Sequence, residues 1–324
     1  MAVTLAQVRL ASTDDLQQMI IDEFRKSSFL LDNLTFDDVV NPAGGGASWA
    51  YTYLRVKTQA TAAFRAVNNE FVAQEAEKEP FTATLAIFGG SFQIDRVLTG
   101  IGFVNELQWQ LQQKIKAASA LFGDTVINGD TGPGGDANSF DGLDKAVTGS
   151  STEYNADGAP INLSTAEAVQ QNADAFVFAL EDWLGLLDGK PSFIASNSKG
   201  IARIKAVARH LGYFSQAEDA FGRKVDTYDG IPLVDLGDKP GNTNPVVAID
   251  AEAGTTSLYA ARLGLDGFHA VSLAGRDLIK RYLPDLNAPG AVKTGEVELV
   301  SAVVLKATKA AGVFRNLQVS PAAG

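Results

Sequence analysis

Cysteine is absent from all 324 positions. That excludes a disulfide framework, thiolate zinc sites and a cysteine nucleophile. Histidine is scarce: His210 and His269 stand alone, far apart and without zinc-ligand spacing. Each reads as a surface or packing residue. No Gly-X-Ser-X-Gly elbow accompanies the serines, so a Ser-His-Asp triad has no support. No uninterrupted apolar run reaches the roughly 18 residues that a membrane span needs. The opening MAVTLAQVRLASTDDLQQM has neither a basic n-region nor an apolar h-region, so no secretory signal is visible and a cytosol is the expected compartment. Positive charge is also short. Lys and Arg number 27 against 38 Asp and Glu, a formal net charge of -11. Such a chain is on average repelled by phosphate, which argues against gripping nucleic acid.

Glycine is plentiful, at 31 residues, and 46% of the chain is hydrophobic. That suffices for one large or two modest domains. The densest glycine stretch is LFGDTVINGDTGPGGDANSFDGL, Leu121 to Leu143. It lacks the Gly-Lys-Ser/Thr ending of a phosphate loop, and it follows a helix pattern where such loops precede one. Asp130 and Asp136 miss the one-three-five spacing of a calcium loop, and no glutamate stands at its twelfth position. Asp124, Asp130, Asp136 and Asp141 could gather a cation, but a plain turn is the expectation. Carboxylate pairs such as Glu75 with Glu77, or Glu181 with Asp182, read as solvated faces. Lys114, Lys116, Lys306, Lys309 and Arg315 are too thinly spread for a binding platform. No catalytic, cofactor-binding or metal-ligating residue is therefore assigned, and no cofactor is expected.

Along the chain, Leu16, Met19, Ile20 and Phe24 recur at helical spacing behind Ser12 and Thr13. The following SSFLLDNLTFDDVVNPAGGG cannot build a core alone and reads as an arm. SWAYTYLRVKTQ and FTATLAIFGG are β-rich runs on either side of the polar, acidic NNEFVAQEAEKEP. An ordinary hairpin in a globular sheet is the plainer reading, and the length favours a projecting one. From Ile94, apolar residues at Val97, Leu98, Ile101, Val104, Leu107, Leu111, Ile115, Ala118 and Phe122 keep helical steps, stopping at Gly123. That is one helix of roughly 40 Å at 1.5 Å per residue. An α/β pattern follows. A helix capped by Ser164 and Glu167 runs to Gly189, and a second ends at Gly212. PSFIAS, GIPLVDL and NPVVAID read as buried strands, and Val297–Leu305 and Ala311–Val319 as two more.

This order of parts resembles the major capsid proteins of tailed bacteriophages, whose shell fold is named for a Hong Kong phage (the Hong Kong 97-like fold). The local likenesses are VINGDTGPGGDANSFDGLDKAV, PSFIASNSKGIARIKAVARHLGYF, DGIPLVDLGD and VVLKATKAAGVFRNL. The resemblance implies an α+β fold in five parts. Residues 1–47 would be an N-terminal arm along a neighbouring subunit. Residues 48–93 would be an extended β-hairpin loop reaching across another. Residues 94–128 and 251–319 would form a peripheral domain, the spine helix plus β-strands. Residues 129–250 would be an axial domain, and 320–324 a tail. It implies no enzyme, but a protein of the virion, assembled in the host cytoplasm. Its copies would form pentamers and hexamers in an icosahedral shell around double-stranded DNA, without specific binding and without a membrane. An acidic wall would let that DNA slide. The chain begins with a short arm, so a separate scaffolding protein is expected, with a portal and cement proteins as further partners. Lys57 and Lys78 lie in the hairpin, but nothing marks an isopeptide partner. Gly100 and Gly102 imply either close packing or a bend early in the spine helix. The competing readings are an encapsulin-like nanocompartment shell, a soluble α/β enzyme, and a decoration or tail protein.

Overall fold

The computed structural model describes residues 29–40, 49–58, 60–96, 106–155, 158–212, 215–218, 224–275 and 277–322. The expected helix at Leu16–Phe24, the Gly44–Gly46 turn and the Gly100–Gly102 pair lie outside them.

One layer is a five-stranded sheet with a long helix across it. Strand β1 (Phe36–Val40) runs parallel to β12 (Phe268–Leu273), and β12 pairs antiparallel with β14 (Val292–Leu305). Strands β13 (Ile279–Tyr282) and β4 (Ala86–Asp95) also pair antiparallel with β14. A short helix, α1 (Phe29–Asn33), precedes β1. Residues 29–40 therefore correct the expected arm. Leu30, Leu31 and Leu34 are buried in this chain's own core instead of waiting for a neighbour.

Helix α2 spans Glu106–Asn128. Leu111, Ile115, Ala118, Phe122 and Val126 repeat at steps of three and four and are all buried, so one face lies on the sheet. Both ends correct the sequence reading. Ile94 is the penultimate residue of β4, paired with Lys293, and residues 97–105 lie outside the described ones. Gly123 does not end the helix. The turn beyond it buries Val126 and Ile127 completely. Two such side chains, at about 1.5–3 kcal/mol each, outweigh the roughly 1 kcal/mol cost of a helical glycine.

The second layer is an eight-stranded sheet in the order β5-β15-β11-β7-β10-β9-β8, with β6 also on β15. Its members are β5 (Glu153–Tyr154), β6 (Ile161–Asn162), β7 (Phe193–Ser196), β8 (Ser215–Glu218), β9 (Lys224–Tyr228), β10 (Ile231–Asp235), β11 (Thr255–Ala261) and β15 (Ala311–Gln318). Helices α4 (Ala166–Gly185) and α5 (Ser198–Leu211) cover one face, and the short α3 (Leu143–Val147) follows the glycine loop. Strand β7 is buried on both sides. Ile194 joins the cluster under α4 and α5, while Phe193 and Ala195 join the cluster under α2. A strand covered on both faces reads as a continuous apolar run, as PSFIAS does.

Strands from both sides of residue 250 share this sheet. Strand β15, expected beside the spine helix, pairs with β11, and β11 pairs with β7. The long β14 stays with the five-stranded sheet, so the chain crosses between layers at residues 306–310. Smaller corrections have local causes. The α4 cap is Thr165, whose side chain accepts from the Ala168 amide, because Ser164 is bonded to Asn162. That helix ends at Gly185, short of Gly189. NPVVAID is coil, not strand, and buries only Val246 and Val247. Side chains take its carbonyls: Asn128 bonds Val246, Asn197 bonds Val247 and Thr256 bonds Ala248. Helix α5 does end at Gly212, whose φ of 76° is the left-handed stop that glycine supplies freely.

Candidate assembly interface

Strands β2 (Ala50–Thr58) and β3 (Glu77–Thr84) form a two-stranded sheet of their own, with Tyr53 opposite Phe81 and Leu54 opposite Pro80. Alternation sorts β2 into two faces. Tyr51, Tyr53 and Arg55 turn toward the body, and Leu54 and Val56 face outward, 64% exposed each. Beyond the strands, residues 60–76 carry no helix or strand, and every one is exposed. Phe64 is fully exposed, Val67 and Val72 nearly so, and Phe71 is 64% exposed. A two-stranded ribbon is marginal alone. One with six large apolar side chains in water has the character of a contact surface awaiting its counterpart.

The reading of the hairpin is corrected in two details. The second strand begins at Glu77, within the supposed polar tip, and FTATLAIFGG is split at Leu85. The part from Ala86 leaves the hairpin for β14. NNEFVAQEAEKEP makes the tip look polar in sequence, and TAAFRAV, an apolar stretch with no periodic partner, carries the contrary signal.

Arginine 55 fixes the hairpin to the body. Its Nε donates to the Lys306 carbonyl at 3.1 Å, and its Nη2 donates to the Leu305 carbonyl and to the Tyr53 hydroxyl. The guanidinium lies 4.1 Å from the Phe81 ring centroid. The Tyr53 hydroxyl donates to the same Leu305 carbonyl at 3.0 Å. Burial raises the Tyr53 pKa, and the nearby arginine opposes it. The clamp acts at the end of β14, so it sets how the hairpin leaves the body. Arg55→Ala is expected to speed amide exchange through β2 and β3 at least tenfold, since charged hydrogen bonds each contribute about 1.5–3 kcal/mol. Exchange in β7 is expected to stay unchanged. Equal protection of the hairpin in both proteins would remove the clamp's role.

The glycine loop is the turn expected of it. The Gly129 amide donates to Thr125, and the Gly142 amide donates to the Gly129 carbonyl, closing the loop on the helix end. A Cβ on Gly142 would stand 2.7 Å from the backbone at Thr125, Ile127 and Gly129. Close backbone approach, more than turn conformation, explains glycine there. The aspartates do gather a cation, and it is Lys145. Its Nζ lies 2.6 Å from Asp130 and 2.8 Å from Asp141. The lysine and the Gly132 amide hold the Asp130 pKa down. Burial pushes Asp141 up, and its bonds from Lys145 and Thr131 outweigh that. Asp124 lies 3.6 Å from Lys239, and Asp136 accepts from the Asn138 amide.

The remaining candidates are dispersed. His210 is exposed in the last turn of α5, and His269 is wholly buried in β12. Glu77 pairs loosely with Lys57 at 3.6 Å, and Glu181 accepts from the Tyr228 hydroxyl. Arg315 leaves any basic patch by binding Asp144 at 2.7 Å and Glu153 at 2.8 Å. Among the described residues no three His, Asp or Glu side chains gather as metal ligands, and no helix is long and apolar enough to cross a membrane. A groove of about 450 Å³ between β4, the end of α2 and the glycine loop is floored by Phe88, Phe122 and Phe140. No histidine, lysine or arginine lines it. Its ionisable lining groups are Asp124, Asp130 and Asp136.

No protein-family model matches the chain, and no curated protein matches it in sequence. Solved structures do match. A chain of the holo-SrpI encapsulin complex of Synechococcus elongatus aligns with a TM-score of 0.64 at 16% identity, over 91% of this chain and 89% of that one. A chain from Mycobacterium phage Bobi aligns at 0.57 and 11% identity, over 89% and 90%. The capsid of a native GTA particle aligns at 0.54 and 13% identity, over 90% of each chain. Identities this low establish the fold, and the α+β shell fold named for the Hong Kong phage is the one that this chain has.

Proposed function

We propose that this protein is the major capsid protein of a tailed bacteriophage, closing as pentamers and hexamers into an icosahedral head around double-stranded DNA. The observation that carries the reading is the hairpin. A shell subunit must bury area on several neighbours at once, through heterologous contacts that close. A clamped ribbon with an apolar tip wholly outside the body suits that need and has no use in a monomeric enzyme. The five-stranded layer with α2 would be the peripheral part, and the eight-stranded layer with α4 and α5 the axial part, meeting its copies around five-fold and six-fold axes. A scaffolding protein, a portal and cement proteins are the partners that this role implies. The virion is the resulting location, after assembly in the bacterial cytoplasm.

One observation favours a second reading within the same fold. The encapsulin chain aligns at 0.64, above the Mycobacterium phage chain at 0.57. In that reading the shell is a nanocompartment and its content is a protein. Sedimentation and negative-stain imaging, with scaffold and portal co-expressed, test both. Rings, tubes or closed shells are expected. Nuclease-protected DNA inside them supports the phage head, and a co-purifying enzyme supports the compartment. A chain that stays monomeric with scaffold and portal supplied overturns both.

A further inference from the structure

His269 sits where the hairpin meets the body. It is the second residue of β12, opposite Val304 of β14, and is fully buried. Neither ring nitrogen makes a well-formed hydrogen bond among the described residues, and the Gly267 backbone interacts with the ring only weakly. Its ring meets the Tyr51 ring edge-on, with centroids 6.3 Å apart. Tyr51 stacks on Tyr53 at 6.0 Å, and Tyr53 and Arg55 hold the Leu305 and Lys306 carbonyls. The Lys306 ammonium stands 5.4 Å from the centre of the Tyr51 ring. So one titratable ring, one fixed cation and two tyrosines converge on the root of β2.

We propose that His269 is a proton-operated latch on the hairpin. With the ring neutral, Tyr51 rests on it and the clamp holds. With the ring protonated, a second positive charge is confined beside Lys306, and the root of the hairpin lifts.

The groups facing His269 are Tyr51 from β2, Lys306 after β14, Asp37 from β1 and Asp266 in the turn before β12. Burial first, and Lys306 second, hold the His269 pKa below the ordinary histidine value. Asp37, the Gly267 backbone and Asp266 pull the other way without prevailing. Asp266 is already engaged, 2.6 Å from Nη1 of Arg262. The sign follows. A base whose folded-state pKa is depressed gives stability that is complete above the ordinary value of about 6.5 and is lost as pH falls below it. Ordinary carboxylates titrate near pH 4, so the window from 7.5 to 5 isolates the histidine.

The absence of cysteine allows a clean test. Spin labels on Ala62→Cys in the tip and Ala202→Cys on the exposed side of α5 report the tip-to-body distance in the full unassembled chain. The distance distribution is expected to broaden at least twofold between pH 7.5 and 5. It is expected to stay constant in His269→Phe and to broaden normally in His210→Gln. Should His269→Phe not fold, His269→Gln takes its place. The His269 ring protons also report directly by NMR, and their midpoint is expected below the ordinary histidine value of about 6.5. An identical pH response in the His269 variants, no response in the parent chain, or a His269 midpoint at or above the ordinary value of about 6.5 overturns the latch. The latch works within one chain, so its failure leaves the shell reading intact.

Discussion

Phe64→Asp combined with Val67→Asp is expected to abolish shell assembly while leaving the subunit folded. Both side chains lie in the tip and touch nothing that holds the body together. Phe64 is fully exposed and Val67 is 86% exposed. Exposed positions of this kind change folding stability by no more than about 0.5 kcal/mol. In an assembly the arithmetic is different. Burying a valine or phenylalanine against a neighbour contributes about 1.5–3 kcal/mol, and aspartate replaces that gain with a desolvation cost. The loss recurs at every subunit contact of a closed lattice. A drop of roughly 3 kcal/mol per contact lowers each association constant more than a hundredfold. The measurement is the concentration at which sedimenting particles first appear, with scaffold present, beside urea unfolding of the unassembled chain. Shells at an unchanged threshold would show that the tip lies outside the contacts, and the hairpin would lose its place in the proposed function.

Local pattern made part of this architecture readable. The three-four spacing from Leu111 to Phe122 gives α2, and the Gly212 stop gives the end of α5. The β-rich run AYTYLRVKT gives β2. Three features were illegible because distant segments decide them. Nothing near Gly123 announces that Val126 and Ile127 will meet a core. Strand β15 looks the same whether it joins β14 or β11, and only pairing with residues some fifty positions earlier, Thr255–Ala261, settles it. Val246 and Val247 read as strand because they are apolar, whereas their backbone is satisfied by Asn128 and Asn197 from elsewhere. The interface was half legible. Hairpin length pointed to projection. That Arg55 would find two carbonyls some 250 residues away had no signal in the chain.

Phe314→Ala is expected to cost the fold more than any surface change, about 3–5 kcal/mol. Phe314 lies in β15 on the face covered by α4 and is fully buried. Three rings surround it: Tyr154 stacked at 5.0 Å, Trp183 edge-on at 5.8 Å and Phe176 edge-on at 6.1 Å. Removing the central ring strips each of them of an aromatic contact of about 0.5–1.5 kcal/mol beyond its buried area. Collapse into the space is hindered from two sides. The next strand position is Val313, committed to the cluster on the opposite face, and Trp183 is wedged against Gly312, where a Cβ would come 3.0 Å from the indole nitrogen. The cavity therefore persists and the full penalty applies. Phe178→Ala is the control. It removes the same side chain from the same helical neighbourhood, but at a site 70% exposed, and is expected within about 0.5 kcal/mol of the parent. Urea unfolding of the two variants measures the gap. A loss under 1 kcal/mol in Phe314→Ala would mean that the surrounding rings close over the space, and that the eight-stranded layer takes its rigidity from the strand pairing of β7, β11 and β15 instead of from this aromatic cluster.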